Sequence, residues 1–118
     1  MPCTMSDAST PDSTLARLEA VIAQRRSADP KQSYVAKLHA RGLPAIARKL
    51  GEEATEMVVA ALSGEREELV GEAADVLFHL LVLLGARDIS LAEVLAELDR
   101  REGTSGIAEK AARPDAGN

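Results

Sequence analysis

Acidic side chains recur at helical spacing in two neighbouring segments of the chain. The residues at this spacing are Lys49, Glu52, Glu53 and Glu56 in the first segment and Glu68, Glu72, Asp75 and His79 in the second. Positions three and four apart share one face of an α-helix. The second stripe is unusual because it crosses an apolar segment and carries three acids and a histidine, whereas a solvent-facing stripe ordinarily carries charges of mixed sign. The spacing predicts two helical faces rich in carboxylates.

A serine and a glycine at positions 63–64 predict a tight turn between these two segments. In an antiparallel hairpin, residues whose numbers share a constant sum lie at equal height. This places Glu53 opposite Asp75, and it places Glu56 opposite Glu72 in the same way. The two layers are three residues apart, or roughly 4.5 Å along the helix axis.

Four facing carboxylates would repel one another strongly in a partly buried groove. Burying unpaired charge is costly, and a divalent cation relieves that cost. Ligands that offer only oxygen favour Mg²⁺ or Mn²⁺ over zinc. The alternative is that these acids are solvated surface residues. We predict a site for Mg²⁺, with Mn²⁺ as a substitute, whose ligands are Glu53, Glu56, Glu72 and Asp75.

The elements that must position these acids are all expected to be helices. Aromatic residues make up 2% of the chain, so the core is expected to be aliphatic. Alanine and leucine lead the helix scale, whereas aromatic residues favour strands. The predicted fold class is all-α, a bundle of four to five helices. Helices are expected at about 13–26, 33–41, 44–62 and 65–86, with a fifth that Ser90 and Glu93 cap and that ends near Glu102.

The length of 118 residues allows one domain. Residues 1–12 read as a disordered tail, 13–102 as the helical domain, and 103–118 as a loop and weakly structured tail. The net charge of −5 argues against a nucleic-acid partner. The N-terminus lacks a signal sequence, and the apolar block 73–86 is too short to span a membrane. A cytoplasmic location without a membrane partner is therefore expected.

The fourth helix is apolar on nearly all sides, apart from its acidic stripe. Its apolar surface exceeds what the neighbouring helices of so small a domain can easily cover. A helix of this kind is usually buried, so a partner subunit is expected. The simplest such assembly is a homodimer that completes the bundle.

The two acidic motifs, residues 51–56 and residues 72–75, resemble those of the all-α nucleoside triphosphate pyrophosphohydrolase (MazG-like) superfamily. Within it, the chain is most similar to the phosphoribosyl-ATP pyrophosphatases of histidine biosynthesis. The segment 33–38 resembles this family in particular rather than the superfamily as a whole. Residues 101–103 and 105–106 also resemble the family. The similarity covers about residues 14–112, nearly the whole folded part.

The resemblance implies Mg²⁺-dependent hydrolysis of the nucleotide 1-(5-phosphoribosyl)-ATP to 1-(5-phosphoribosyl)-AMP and pyrophosphate. It implies a monofunctional enzyme that is at least a dimer. It also assigns the four predicted metal ligands to catalysis. Glu52 is a further catalytic candidate because it could hold or deprotonate the attacking water. Equally, Glu52 could be a surface partner of Arg48 or Lys49.

The substrate-binding candidates are basic or aromatic residues, namely Tyr34, Lys37, Lys49 and Arg101. The resemblance implies that the segment holding Tyr34 and Lys37 borders the substrate site. Lys49 contacts a phosphate oxygen or pairs with Glu53 one turn away. Tyr34 borders the substrate or packs in the core with its hydroxyl at the surface. The candidates for the 5-phosphate are Arg25, Arg26, Arg100 and Arg101, although arginines at helix ends also complement the helix dipole. His79 either orients Asp75 or is a core histidine satisfied by a hydrogen bond.

Two other functions compete with this hypothesis. A related pyrophosphohydrolase acting on a noncanonical or deoxynucleoside triphosphate would use the same acids and differ only in the substrate pocket. A non-enzymatic helical dimerisation module would carry the acids as surface residues and would not need Mg²⁺.

Overall fold

The computed structural model describes residues 11–102, with side chains described from residue 14 onward. The regular elements in this range are α1 (Pro11–Arg25), α2 (Tyr34–Arg41), α3 (Leu43–Ser63), α4 (Arg66–Ala86) and α5 (Leu91–Arg101). No strand occurs in the described range, so the all-α prediction is confirmed. The first helix begins two residues before its expected start. Residues 1–10 and 103–118, which hold most of both predicted tails, lie outside the described residues.

Capping side chains and glycines set the helix boundaries. The Ser33 hydroxyl accepts a hydrogen bond from the Ala36 backbone N–H at 3.1 Å and so begins α2. Gly42 ends α2 with a φ of 99°, a conformation that favours glycine because it lacks a Cβ. Ser90 and Glu93 form the predicted capping box at the start of α5, each satisfying a backbone N–H of the other.

The helices α3 and α4 form a hairpin, each contributing 21 residues. Gly64 lies between them in the left-handed conformation, with a φ of 90°, and the Ser63 hydroxyl donates to the Ala60 carbonyl at 3.0 Å. The expected tight turn is therefore present. Helices of this length are roughly 30 Å long. The acidic residues of α3 can therefore lie beside those of α4.

The core is aliphatic, as the composition predicts. Its buried members are Ile22, Val35, Leu38, Ile46, Leu81, Val82 and Leu91. These side chains come from α1, α2, the first turn of α3, the second half of α4 and the start of α5. The core therefore sits at one end of the hairpin. The turn end of the hairpin, by contrast, leaves large apolar side chains exposed, among them Leu62 and Val70.

The helix α4 is long and apolar enough to cross a membrane when judged by length and composition alone. The central helix of a soluble protein meets the same criterion. This helix carries Glu72 and Asp75 within its apolar length, and charged side chains are costly inside a membrane. It also packs against α3 and α1. We interpret α4 as the central helix of this domain.

Candidate active site and metal centre

Three carboxylates converge on the inner side of the α3–α4 hairpin. Glu53 and Glu56 come from α3 and Glu72 comes from α4, and one oxygen of each lies within 4.8 Å of the others. Glu53 is buried, Glu72 is half-buried and Glu56 is exposed, so the group opens to solvent on one side. We call these three residues the acidic cluster.

The Glu72 carboxylate is partly buried and lies beside other negative charges. Its Oε1 atom is inaccessible to solvent and has no hydrogen-bond partner among the described residues. Burial is the main cause that raises the pKa of the Glu72 carboxyl. The negative charges of its neighbours raise it further, in the order Glu56, Glu53 and Asp75. A buried acceptor without a donor is costly, and a hard cation supplies the missing partner. The acidic cluster can therefore hold a metal ion.

Asp75 stands apart from the acidic cluster, although the hairpin geometry predicts that it faces Glu53. It is exposed, and its carboxylate is not among the oxygens that lie within 4.8 Å of one another. Its backbone carbonyl accepts a hydrogen bond from Nδ1 of His79 at 2.8 Å. The role of Asp75 as a fourth ligand stays a prediction.

His79 is buried, and both of its ring nitrogens are hydrogen-bonded. Because the Asp75 carbonyl can only accept, Nδ1 donates to it, and Nε2 of that tautomer is an acceptor. The Tyr34 hydroxyl lies 3.0 Å from Nε2 and therefore donates to it. Of the two interpretations of His79, the structure favours the satisfied core histidine, since the ring does not contact the Asp75 carboxylate.

Lys49 pairs with acids on its own helix. Its Nζ atom lies 3.3 Å from Oε2 of Glu53 and 3.8 Å from Oε1 of Glu52. The hydrogen bond with Glu53 is the main cause that raises the pKa of Lys49. Lys49 thus offsets part of the charge of the acidic cluster. Glu52 lies outside the cluster and has Lys49 as its ion-pair partner.

Two neighbouring depressions lie along α3. The smaller, of about 180 Å³, is lined by Tyr34, Arg41, Ala45, Arg48, Lys49 and Glu52, and we call it the basic pocket. The larger, of about 640 Å³, is lined by Arg48, Gly51, Glu52, Thr55 and Glu56, and we call it the open groove. Arg48 and Glu52 belong to both, and the open groove reaches the acidic cluster at Glu56.

Sequence reasoning missed Arg41 as a site residue and considered Arg48 only as a partner of Glu52. The signal for Arg48 was its spacing of four from Glu52, which places both on one helical face. Arg41 offered no such signal, because it lies on α2 and reaches the basic pocket through the turn at Gly42.

Residues 15–102 match the family model described as phosphoribosyl-ATP pyrophosphohydrolase. The chain belongs to this family. A phosphoribosyl-ATP pyrophosphatase of Novosphingobium aromaticivorans is 72% identical over 99 residues, which cover 84% of this chain and 92% of that protein. The protein of the same name from Erythrobacter litoralis is 70% identical over 102 residues, covering 86% and 98%. That from Rhizorhabdus wittichii is 65% identical over 101 residues, covering 86% and 95%.

Family membership confirms the predicted superfamily and the predicted hydrolase class. It does not test which residues bind substrate, and the structure treats the four candidates differently. Tyr34 is 45% exposed, stacks on Phe78 and faces the basic pocket, as Lys49 does. Lys37 is exposed on α2 and forms no ion pair with another described residue.

Arg101, the fourth candidate from the family resemblance, lies on α5 and pairs with Glu97. Its Nε atom donates to Oε2 of Glu97 at 3.0 Å. The hydrogen bond with Arg100 is the main cause that lowers the pKa of Glu97 to about 2, and the bond with Arg101 is the next. The structure therefore shows Arg101 in the helix-end interaction that the sequence left as an alternative, and its contact with substrate stays a prediction.

Proposed function

We propose that this protein hydrolyses 1-(5-phosphoribosyl)-ATP to 1-(5-phosphoribosyl)-AMP and pyrophosphate in histidine biosynthesis, with Mg²⁺ at the acidic cluster. The observation that carries the metal assignment is the buried Oε1 of Glu72, which has two carboxylates beside it and no hydrogen-bond donor in the described part of the chain. A ligand set made only of oxygen suits Mg²⁺, with Mn²⁺ as a substitute. Membership of the phosphoribosyl-ATP pyrophosphohydrolase family supports the substrate.

The residues of α3 and α4 have different roles in the proposed site. Glu53, Glu56 and Glu72 hold the cation, and the ion pair from Lys49 fixes the Glu53 carboxylate from the other side. When bound, Mg²⁺ offsets the charge of the phosphate oxygens and favours attack by water. The hairpin supports this arrangement because two helices that pack along their length hold their side chains more rigidly than loops do.

Two further acids border this arrangement. Asp75 lies one turn after Glu72 on α4, and we assign it as the fourth metal ligand. Glu52 lines the open groove beside Glu56 and is our candidate for holding the attacking water. Its ion pair with Lys49 is long, at 3.8 Å, and leaves Glu52 half exposed to the groove.

A test of the proposed function measures pyrophosphate release from phosphoribosyl-ATP and from a panel of deoxynucleoside and noncanonical triphosphates. Phosphoribosyl-ATP is expected to be the preferred substrate in Mg²⁺. Preference for another triphosphate would replace this substrate with that of a related pyrophosphohydrolase. Turnover of none of them, together with no Mg²⁺ binding, would favour the non-enzymatic dimerisation module.

Substitutions separate catalysis from folding. Glu56→Gln and Asp75→Asn keep the size of the side chain and remove a metal-ligating charge, so each should abolish most pyrophosphate release. Neither should lower the melting temperature of the metal-free protein, because each relieves carboxylate repulsion. The matched control is Glu67→Gln on the exposed side of α4, which should keep full activity. Unchanged turnover in both site variants would contradict the assignment of these acids.

The exposed apolar surface of the hairpin supports assembly into a two-fold homodimer. Val58 is 54% exposed, Leu62 83% and Val70 63%. Only 17% of the most apolar window of α4 is buried within the chain. Large apolar side chains exposed together on one hairpin suit an interaction site, and a closed dimer of identical chains covers them on both copies.

Light scattering tests this assembly with a matched pair of variants. The wild-type protein is expected to be a dimer at micromolar concentration, and Leu62→Glu is expected to shift it towards monomer. Leu98→Glu places the same charge on the exposed face of α5 and should leave the dimer intact. A folded wild-type monomer would contradict the dimer. Recovery of the enzyme in the cytosolic fraction tests the proposed cytoplasmic location.

A further inference from the structure

The basic pocket is lined by the guanidinium groups of Arg41 and Arg48. Neither Arg41 nor Arg48 forms an ion pair with any acid among the described side chains, and both are exposed at the pocket wall. Lys49 lines the same pocket but is paired with Glu53 at 3.3 Å. Arginine binds phosphate through two parallel N–H···O bonds, so two unpaired guanidinium groups around one pocket suit a phosphate.

The volume of the basic pocket limits what it can hold. At about 180 Å³ it is smaller than the roughly 300–1,000 Å³ of pockets that take a whole drug-sized ligand. It therefore suits one end of a larger molecule. The open groove shares Arg48 and Glu52 with the basic pocket and reaches Glu56, so that molecule can extend to the acidic cluster. Arg48 and Glu56 are eight residues apart on α3, roughly 12 Å along the helix axis.

We propose that the basic pocket binds the 5-phosphate of the substrate's phosphoribosyl group, through Arg41 and Arg48. This inference rests on the proposed function, because it assigns a part of that substrate. A phosphate monoester carries a charge of about −1.5 to −2 at neutral pH, which two guanidinium groups balance. The phosphoribosyl group is attached to the adenine on the side away from the triphosphate. Its phosphate therefore lies at the opposite end of the substrate from the scissile bond, and Arg48 lies roughly 12 Å before Glu56 along α3.

The other lining groups favour a sugar phosphate over the leaving pyrophosphate. The Tyr34 hydroxyl donates its proton to His79, so the phenolic oxygen can only accept from a ligand in the pocket. A ribose hydroxyl can donate to such an acceptor, whereas an ionised pyrophosphate oxygen can only accept. The Tyr34 hydroxyl therefore favours a sugar phosphate in this pocket over pyrophosphate.

The test compares the binding of 1-(5-phosphoribosyl)-AMP with that of AMP by calorimetry on the Mg²⁺-loaded full chain. These ligands differ only in the phosphoribosyl group, so the ratio of their dissociation constants isolates its contribution. The wild-type protein should bind the phosphoribosyl compound about ten- to a hundred-fold more tightly, as expected for charge-assisted hydrogen bonds. Arg41→Gln and Arg48→Gln should each remove most of that ratio. Arg87→Gln makes the same charge change at the far end of α4 and should keep it.

Three results would overturn the inference. One is equal wild-type affinity for the two ligands, and another is an unchanged ratio in both arginine variants. The third is weaker binding of inorganic pyrophosphate in those variants with the ratio retained, which would assign the pocket to the leaving group. Both arginines are exposed, so the variants should melt at the wild-type temperature. Arg48→Lys offers a second variant that keeps the positive charge but lacks the two parallel N–H donors of a guanidinium group.

The same experiment distinguishes this inference from the proposed function. If the wild-type protein releases pyrophosphate from phosphoribosyl-ATP but the ratio does not depend on Arg41 and Arg48, only the inference fails. If the ratio depends on both arginines but no pyrophosphate is released, the binding site stands and the proposed reaction fails.

Discussion

Metal binding at the acidic cluster should stabilise the folded protein, because the site exists only when α3 and α4 are packed. The unfolded chain separates the three carboxylates and binds Mg²⁺ weakly. A ligand that binds only the native state stabilises it by RT ln(1 + [L]/Kd), which is about 2.7 kcal/mol when Mg²⁺ is present at one hundred times its dissociation constant. For a domain of roughly 60–100 residues this raises the melting temperature by roughly 10–20 °C.

The assay is thermal unfolding followed by circular dichroism, beginning with protein stripped of metal by a chelator. The melting temperature should rise with added Mg²⁺ and with Mn²⁺. Glu56→Gln removes a ligand and should abolish most of the rise, whereas Glu67→Gln should preserve it. A melting temperature that does not respond to either ion up to several millimolar would refute the metal site.

The pH dependence of the metal-free protein gives the same site a second, independent readout. The pKa of the Glu72 carboxyl is raised in the folded state. The contribution of this carboxyl to the free energy of unfolding is therefore fully present below the ordinary glutamate pKa and is lost as the pH rises through the raised value. The metal-free wild-type protein should therefore lose stability as the pH rises above the ordinary glutamate range. Glu72→Gln should remove that loss and melt higher than the wild type at neutral pH without metal. A lower melting temperature for this variant would contradict the account of repulsion.

Three further predictions concern the stability of individual helices. The pKa of the Glu97 carboxyl is lowered to about 2. Its contribution to the free energy of unfolding is therefore present above the ordinary glutamate pKa and is lost as the pH falls towards 2. Glu97→Gln should make the free energy of unfolding less dependent on pH in that range, and an unaltered acid profile would contradict the ion pairs. Gly51→Ala adds a Cβ that meets no heavy atom within 4 Å. Chemical denaturation should therefore show that the free energy of unfolding rises by about 0.5–1 kcal/mol. A fall would mean that the added methyl group is not tolerated at this position. Ser90→Ala removes the capping box on Glu93 and should cost about 1 kcal/mol in the same assay, whereas no cost would mean that the start of α5 is already frayed.

The helices of this fold could be predicted from local sequence signals. The glycines at positions 42 and 64 and the cap at Ser90 mark boundaries that backbone geometry requires, and the structure places the helix ends within two residues of them. The scarcity of aromatic residues correctly predicted an aliphatic, all-α core, because alanine and leucine can fill a helical interface without strand-forming side chains.

The acidic cluster was predictable in part, because helical periodicity orders residues around an axis but does not fix side-chain directions. The sum rule placed Glu56 opposite Glu72, and these two carboxylates do meet. The same rule placed Glu53 opposite Asp75, yet the Glu53 carboxylate turns towards Lys49 and Glu72 while Asp75 stays exposed. Helical spacing alone therefore does not determine which carboxylates meet.

The basic pocket could not be predicted, since it depends on how α2 meets α3. Arg41 and Arg48 come together only because Gly42 adopts a positive φ and turns the chain between the two helices. The hydrogen bond from Tyr34 to His79 joins residues 45 positions apart and leaves no local pattern. Packing between elements, rather than periodicity within them, builds this part of the site.

The rate of pyrophosphate release from phosphoribosyl-ATP, measured for the wild-type protein and Glu72→Gln with Mg²⁺ and with excess chelator, tests the central claim most directly. Glu72→Gln neutralises the carboxylate whose buried oxygen lacks a partner and leaves the helices intact. We expect rapid release by the wild-type protein in Mg²⁺, no release in chelator, and loss of most of the activity in the folded variant. Wild-type turnover that persists in chelator, or full activity of Glu72→Gln in Mg²⁺, would contradict a metal-dependent mechanism at the acidic cluster.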